Sequence, residues 1–261
     1  MRKIPLLWLL LACCWTAPSN AAPVATPTEW KVGKQTFSGF LVYDEAGKGQ
    51  RPGLLMVPDW LGVTPAALEK ARQLAGDRYV VLVVDMYGKG VRPKDPEQAV
   101  AQVKKLYADR PAMRARMAMA LQTLRGKAGK VPLDADRIAA IGYCFGGSSA
   151  LELARSGADI DGVASFHGGL DTSLPATKGS VKSPILILNG ADDRGTAPHI
   201  AAFEKEMNDA GADWQFVNFS GAVHCFALET ANSPPGCVYN ERAAKRAYRM
   251  LDDFLGEVFA N

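Results

Sequence analysis

Six short, nearly continuous apolar runs punctuate the chain: GLLMV (53–57), YVVLVV (79–84), RIAAIG (137–142), GVASF (162–166), PILILNG (184–190) and WQFVNF (214–219). None alternates cleanly between apolar and polar residues, and that is the pattern of strands covered on both faces. Upstream, WKVG and TFSGFLVYD carry β-branched and aromatic residues on either side of Gly33, which predicts a β-hairpin. Helical segments fill the intervals. One opens at Pro65 with Thr64 as N-cap, and Asp95, Pro96 and Gln98 make a similar start for another, expected to run as one long helical stretch from Asp95 to about Gly126. Within that stretch Met113, Met117 and Met119 read as core filler, and Arg110, Arg114 and Arg116 as a solvated face. SSALELARS and IAAFEKEMNDA read as further helices. The last, 241–258, places Tyr248, Leu251, Phe254, Leu255 and Val258 on one face, away from Arg249, Asp252 and Asp253. That is a packing stripe rather than a partner site, and a monomer is expected. The alternation of strand and helix predicts a single-domain α/β fold: a mostly parallel, doubly wound sheet with helices on both faces.

Composition changes the picture at the N-terminus. With 261 residues, 48% hydrophobic and 22% charged, the chain has material for one large core and is not of the disordered class. Arg2 and Lys3 precede the apolar run LLWLLLACCW, which PSNAAP ends too soon for a bilayer span. Residues 1–21 therefore read as a secretory signal cleaved before Ala22, with Ser19, Asn20 and Ala21 as the small-x-small site, and residues 22–261 as the mature domain. The competing reading is a lipoprotein box in LLAC, with Cys13 lipidated. Either way the expected location is periplasmic or secreted. Loss of Arg2 and Lys3 turns 30 basic against 27 acidic residues into 28 against 27. Nothing in that balance suggests nucleic acid, and no metal or cofactor motif is found.

GYCFGG (142–147) lies between the strand RIAAIG and the helix SSALELARS, so Cys144 falls on a strand-to-helix turn of nucleophile-elbow type, with cysteine in the usual serine position. A helix N-terminus there favours a thiolate. The plainer reading is an inert cysteine behind a buried strand. A thiol nucleophile needs a base, and the base an orienting acid. The chain has three histidines. His167 precedes every candidate acid and reads as a loop residue near the site; His199 opens a helix and reads as structural. His224, in SGAVHCF after the strand WQFVNF, is the best base. The acid comes from NGADD at the carboxyl end of PILILNG, where ligand crevices of open α/β sheets form, and either Asp192 or Asp193 fits.

With VPDWLGV (57–63) and VDMYG (84–88), the motifs GYCFGG, NGADD and AVHCF resemble the dienelactone hydrolase family of α/β-hydrolases across nearly all of the mature chain. The resemblance implies Cys144 as nucleophile, His224 as base and Asp193, the last residue of the family's G-x-x-D, as acid. It implies a cofactor-free hydrolase of small-molecule esters or lactones, with the backbone N–H groups of Trp60 and Phe145 as oxyanion donors. The family's glutamate before the first donor is Asp59 here, one methylene shorter. Tyr87 lies in the matched VDMYG, and the family's two carboxylate-binding arginines fall on Lys89 and Leu228. A lysine still offers a point charge, but a leucine does not.

A thiolate attacks well and also departs readily, so enol esters, lactones and thioesters suit this site better than amides. A general esterase or thioesterase is the nearest alternative. A non-catalytic binding or thiol protein on the same scaffold is the alternative of another class, although the chain has no C-x-x-C pair. The remaining mature cysteines, Cys225 and Cys237, are expected to form a disulfide across the turn-rich ETANSPPG, since a secreted chain folds in an oxidising compartment.

Overall fold

The computed structural model describes residues 23–47 and 49–260; the leader expected over residues 1–21 and the alternative at Cys13 lie outside them. Eight strands form one sheet: β1 (Val24–Val32), β2 (Gln35–Tyr43), β3 (Arg51–Val57), β4 (Val80–Val83), β5 (Leu133–Tyr143), β6 (Gly162–Phe166), β7 (Ile185–Gly190) and β8 (Trp214–Phe219). Their order is β1-β2-β4-β3-β5-β6-β7-β8. The hairpin β1–β2 turns at Gly33, whose φ of 56° a side chain would strain, and joins the sheet antiparallel to β4. All later pairings are parallel.

Helices cover both faces. α1 (Pro65–Ala75) and α6 (Glu241–Val258) pack on one; α2 (Pro96–Tyr107), α3 (Arg110–Arg125), α4 (Phe145–Arg155) and α5 (Ile200–Ala210) pack on the other. The α6 stripe is buried as its periodicity requires: Leu251, Leu255 and Val258 are buried, while Arg249, Asp252 and Asp253 are exposed. From β3 the chain crosses by α1 to β4 on one side, then returns by α2 and α3 to β5 on the other. The strand order thus reverses between β3 and β5. A crevice opens at such a switch point at the carboxyl ends of the strands, which is where the loops of Trp60 and Cys144 meet.

Two expectations are corrected here. The stretch from Asp95 to Gly126 is two helices, because Pro111 has no N–H to donate and its ring would crowd the carbonyl of Tyr107. Asp109 starts the second by accepting the Ala112 N–H at 3.0 Å. The arginines of α3 are not a solvated face. Arg110 is buried, stacked over the Tyr107 ring and bonded to Asp171; Arg114 pairs with Glu152 at 2.8 Å; Arg116 lies over Phe37 and bonds the Met86 carbonyl. Their stems run along apolar surface to partners on other elements, which helical periodicity alone does not reveal. Met113 and Met117 are core residues, and Met119 packs against the core.

Candidate active site

β5 ends by delivering Cys144 at φ 54° and ψ −119°, a left-handed conformation rare for a residue with a side chain. The turn closes this sharply because Gly142 and Gly146 let strand and helix touch: a Cβ on Gly146 would collide with the backbone of Val57 and Pro58, and one on Gly142 with that of Gly146. The Cys144 N–H is fixed to the Phe166 carbonyl at 3.0 Å. Phe145 begins α4, so its own N–H is one of the first-turn donors that a helix leaves without an internal acceptor.

The sequence order Cys144, Asp193, His224 converges in space. Nε2 of His224 lies 3.0 Å from the Cys144 Sγ, and Nδ1 lies 2.7 Å from Oδ2 of Asp193. Asp193 is buried, and its other oxygen accepts the Gly195 N–H at 2.9 Å, which fixes the carboxylate plane. Asp192 is exposed on the same turn, so burial and this contact separate the two candidates. Burial alone would lower the pKa of His224, but the bonds to Asp193 and Cys144 outweigh it and raise the ring to about 10. Burial pushes the Asp193 carboxyl up, and the bond and charge of His224 together with the Gly195 and Thr196 N–H groups outweigh it, leaving the carboxyl below its ordinary range.

Tyr87 links the two expected oxyanion residues, Trp60 on the turn after β3 and Phe145 at the start of α4. The Tyr87 O–H donates to the Trp60 carbonyl at 2.8 Å, which ties the turn after β3 to the turn after β4. That second turn is held by Asp85, whose carboxylate accepts the N–H groups of Tyr87 and Gly88 at 3.0 Å each. The rings of Tyr87 and Tyr107 pack on Phe145 with centroids 5.5 and 5.9 Å away. Tyr107 and Ser148 share a hydroxyl bond of 2.9 Å, and burial first of all pushes that phenol up to about 12. Sequence reasoning missed Tyr107, which sits on a helix with no motif to single it out.

Asp59 accepts the Leu61 N–H at 2.9 Å and so shapes its own turn. Burial raises its carboxyl pKa, against the pull of that N–H and of His224. Beside it opens a cavity of about 240 Å³ lined by Met56, Pro58, Leu61, Tyr143 and Leu228, with the Lys70–Glu229 ion pair on its wall. Lys89 is exposed beside the hairpin. Its N–H bonds Thr36 on the hairpin, and its ammonium is committed to Glu29 of β1 at 2.8 Å. His199 lies in a 3₁₀ turn (Ala197–His199) ahead of α5, away from the triad's hydrogen bonds. Cys225 and Cys237 are joined as a disulfide with Cα atoms 5.0 Å apart. The bridge pins a two-stranded ribbon, β9 (Asn232–Ser233) and β10 (Cys237–Val238), against the base loop, where Val238 N–H bonds the His224 carbonyl at 3.1 Å.

A mostly parallel sheet with a thiol on the elbow, and a histidine and a carboxylate in reach at the carboxyl ends of its strands, defines an α/β-hydrolase. The chain belongs to the dienelactone hydrolase family, whose model matches residues 37–259, and it is an ester hydrolase of that type. It is 28% identical to a carboxymethylenebutenolidase of a Pseudomonas species over 193 residues, 72% of this chain and 78% of that one. Among solved structures, that named m3DLH is 35% identical with a TM-score of 0.84, covering 91% of this chain and 99% of the other. A dienelactone hydrolase-like promiscuous phosphotriesterase from metagenomic libraries is 32% identical with a TM-score of 0.83, over the same shares.

Proposed function

We propose that the chain hydrolyses activated carboxylic esters or lactones through Cys144, His224 and Asp193 with an acyl-enzyme intermediate. The observation that carries this is the unbroken run Sγ to Nε2 at 3.0 Å and Nδ1 to Oδ2 at 2.7 Å. An imidazolium so close to sulfur stabilises a thiolate before substrate arrives. The sulfur attacks the carbonyl carbon, an S–C bond forms, and the carbonyl electron pair moves to oxygen, which the N–H groups of Trp60 and Phe145 receive. As the pair returns, the C–O bond breaks and the leaving alkoxide takes the proton from Nε2. Neutral His224 then removes a proton from water as it attacks the thioester, and the thiolate departs with the acid released.

Asp193 holds Nδ1 throughout, so the ring presents the same nitrogen to sulfur, leaving group and water. The favoured substrates are neutral. Leu228 puts hydrocarbon on the cavity wall and Lys89 lies beside Glu29 on the hairpin, which supports a weaker hold on a substrate carboxylate than a pair of arginines would give. The segment before Ala22 acts as an export signal, a reading supported by its sequence and by a disulfide suited to an oxidising compartment.

The test is a panel of lactones, aryl esters, thioesters and an aryl phosphotriester, with wild type beside Cys144→Ala. Wild type should turn over aryl esters and lactones, with a neutral ester preferred over dienelactone, and the alanine variant should be inactive. An alanine variant as active as wild type would end the thiol mechanism. The intact mass of the exported protein reports whether it starts at Ala22.

A further inference from the structure

His167 closes β6 between the strand that delivers Cys144 and the strand that delivers Asp193. Its N–H bonds the Leu188 carbonyl at 2.8 Å, and the preceding Phe166 carbonyl receives the Cys144 N–H. It is a non-glycine residue at φ 40°, so its backbone is strained. Its side chain is fully buried, and neither ring nitrogen reaches another described side chain at hydrogen-bonding geometry, leaving only its own backbone close by. Burying an imidazole with no partner side chain costs hydration that a phenyl ring would not lose. The ring meets His224 edge to face, with centroids 4.9 Å apart and planes at 66°. Phe226 and Tyr143 close the enclosure at 5.6 and 6.4 Å. A phenyl ring would fill that space without stranding two nitrogens, so the imidazole itself requires a reason.

We propose that His167 is a positioning residue: a neutral imidazole that keeps the His224 ring in the plane joining Asp193 to Cys144 and favours its protonated form. The inference rests on the reading above only for the role of His224. With neither nitrogen committed to another side chain, the ring can hold its proton on the side of its own backbone and its lone pair toward His224. A lone pair facing a cationic ring stabilises that cation, and the edge-to-face contact blocks rotation about the Cβ–Cγ bond.

The groups that face His224 are Cys144 on the turn after β5, Asp193 after β7, Asp59 after β3 and His167 after β6; the Tyr143 hydroxyl is engaged by Tyr248. Among these His167 is the ring held neutral. Burial first, and the charge on His224 second, keep it well below the ordinary histidine range.

The experiment compares His167→Phe and His167→Gln with wild type by iodoacetamide labelling of Cys144 from about pH 4 to pH 9, which needs no substrate, and by ester kinetics. In the phenylalanine variant the acid limb of labelling should move up by about half to one pH unit, slowing labelling at a fixed acidic pH about threefold to tenfold. kcat should fall while KM holds. Glutamine, which offers the cation a carbonyl oxygen, should recover at least half of the shift. Phenylalanine profiles that overlay those of wild type would overturn the proposal.

If neither variant folds, nitrogen NMR of the wild-type imidazoles decides, with His199→Gln for assignment. His167 should stay neutral from about pH 5 to pH 9 while His224 is protonated, and a protonated His167 within that range would overturn the idea. A labelling shift as expected in a protein that turns over no ester would sink the hydrolase reading and leave this one standing.

Discussion

His224 is asked to hold a proton for the leaving group and then to take one from water, and its two partners decide at what pH it can do so. Its folded value of about 10 stands above the free-histidine value of about 6.5, so its protonated pair with Asp193 contributes stability in full below about pH 6.5. That contribution fades as pH climbs toward 10. His167 has the opposite sign: its folded value is depressed, so its contribution is full above about pH 6.5 and is lost as pH falls and the unfolded chain gains a proton that the folded one refuses. Two outcomes follow. In kcat/KM against pH the alkaline limb should lie near pH 10, where His224 gives up its proton, and a limb near pH 7 would contradict it. Thermal melts of wild type and His167→Phe should converge as pH rises from about 5 to 7, because only wild type has a buried histidine to discharge. Tyr87 is read through its bond to Trp60: Tyr87→Phe should lower kcat about tenfold with little change in KM, as a loosened oxyanion donor would. At this scale Cys144, His224 and an acid in NGADD are legible because chain order and strand ends constrain them, whereas the choice of Asp193 over Asp192 rests on the resemblance. The tie of Tyr87 to Trp60 is not legible, since a hydroxyl bond to a backbone carbonyl 27 residues away leaves no mark in a local pattern.

Elements hold the base by a different means. The loop after β8 carries His224, and Cys225 beside it sits at φ 63°, so the chain reverses sharply just past the ring. The disulfide to Cys237 and the Val238 bond to the His224 carbonyl fasten that reversal from one side, and Asn240 caps α6 from the other by accepting the Ala243 N–H at 3.1 Å. Replacing both cysteines by serine should cost about 3 kcal/mol of stability in the chain-entropy account, and kcat should fall more than KM because the base loses its fastening before the crevice loses its walls. Denaturant melts and ester kinetics on the double variant measure the two effects separately. The strands and the final helix were legible because burial on two faces and a single apolar stripe each leave a period in the sequence. The break between α2 and α3 is marked only by Asp109 and Pro111 inside an otherwise continuous helical pattern. There the proline stands at the second helical position, not the first as after Thr64 and Asp95, so the signal is weaker.

The whole molecule is held together behind the crevice by charges that the apolar pattern hides. α4 is buried along its full length, and at Glu152 and Arg155 it places an acid and a base where helical periodicity calls for hydrocarbon. Glu152 is completely buried and accepts from Arg114 of α3 at 2.8 Å and from Arg155 at 3.2 Å. Arg155 also grips Glu206 of α5 with two bonds of 2.9 Å and donates to the Leu170 carbonyl at 2.7 Å. Glu206 in turn accepts the Ala176 N–H at 2.7 Å, and Arg114 reaches the Leu174 carbonyl. Three helices and the segment that runs on from His167 therefore share one network, and no sequence period predicts it because its members come from distant stretches with their partners unknown. A buried pair gains little over hydrocarbon of the same volume, but a broken one leaves a charge without its partner. Glu152→Gln keeps the volume and removes the charge that both guanidinium groups share. It should destabilise by about 3–5 kcal/mol and lower Tm by about 10 °C. Because the segment anchored at Leu170 and Leu174 begins at His167, the variant should also lose kcat below its melting range, in proportion to any displacement of the acid limb of Cys144 labelling. A Glu152→Gln protein that melts within about 2 °C of wild type would show that the two arginines find other partners and that α4 is held by its apolar contacts alone.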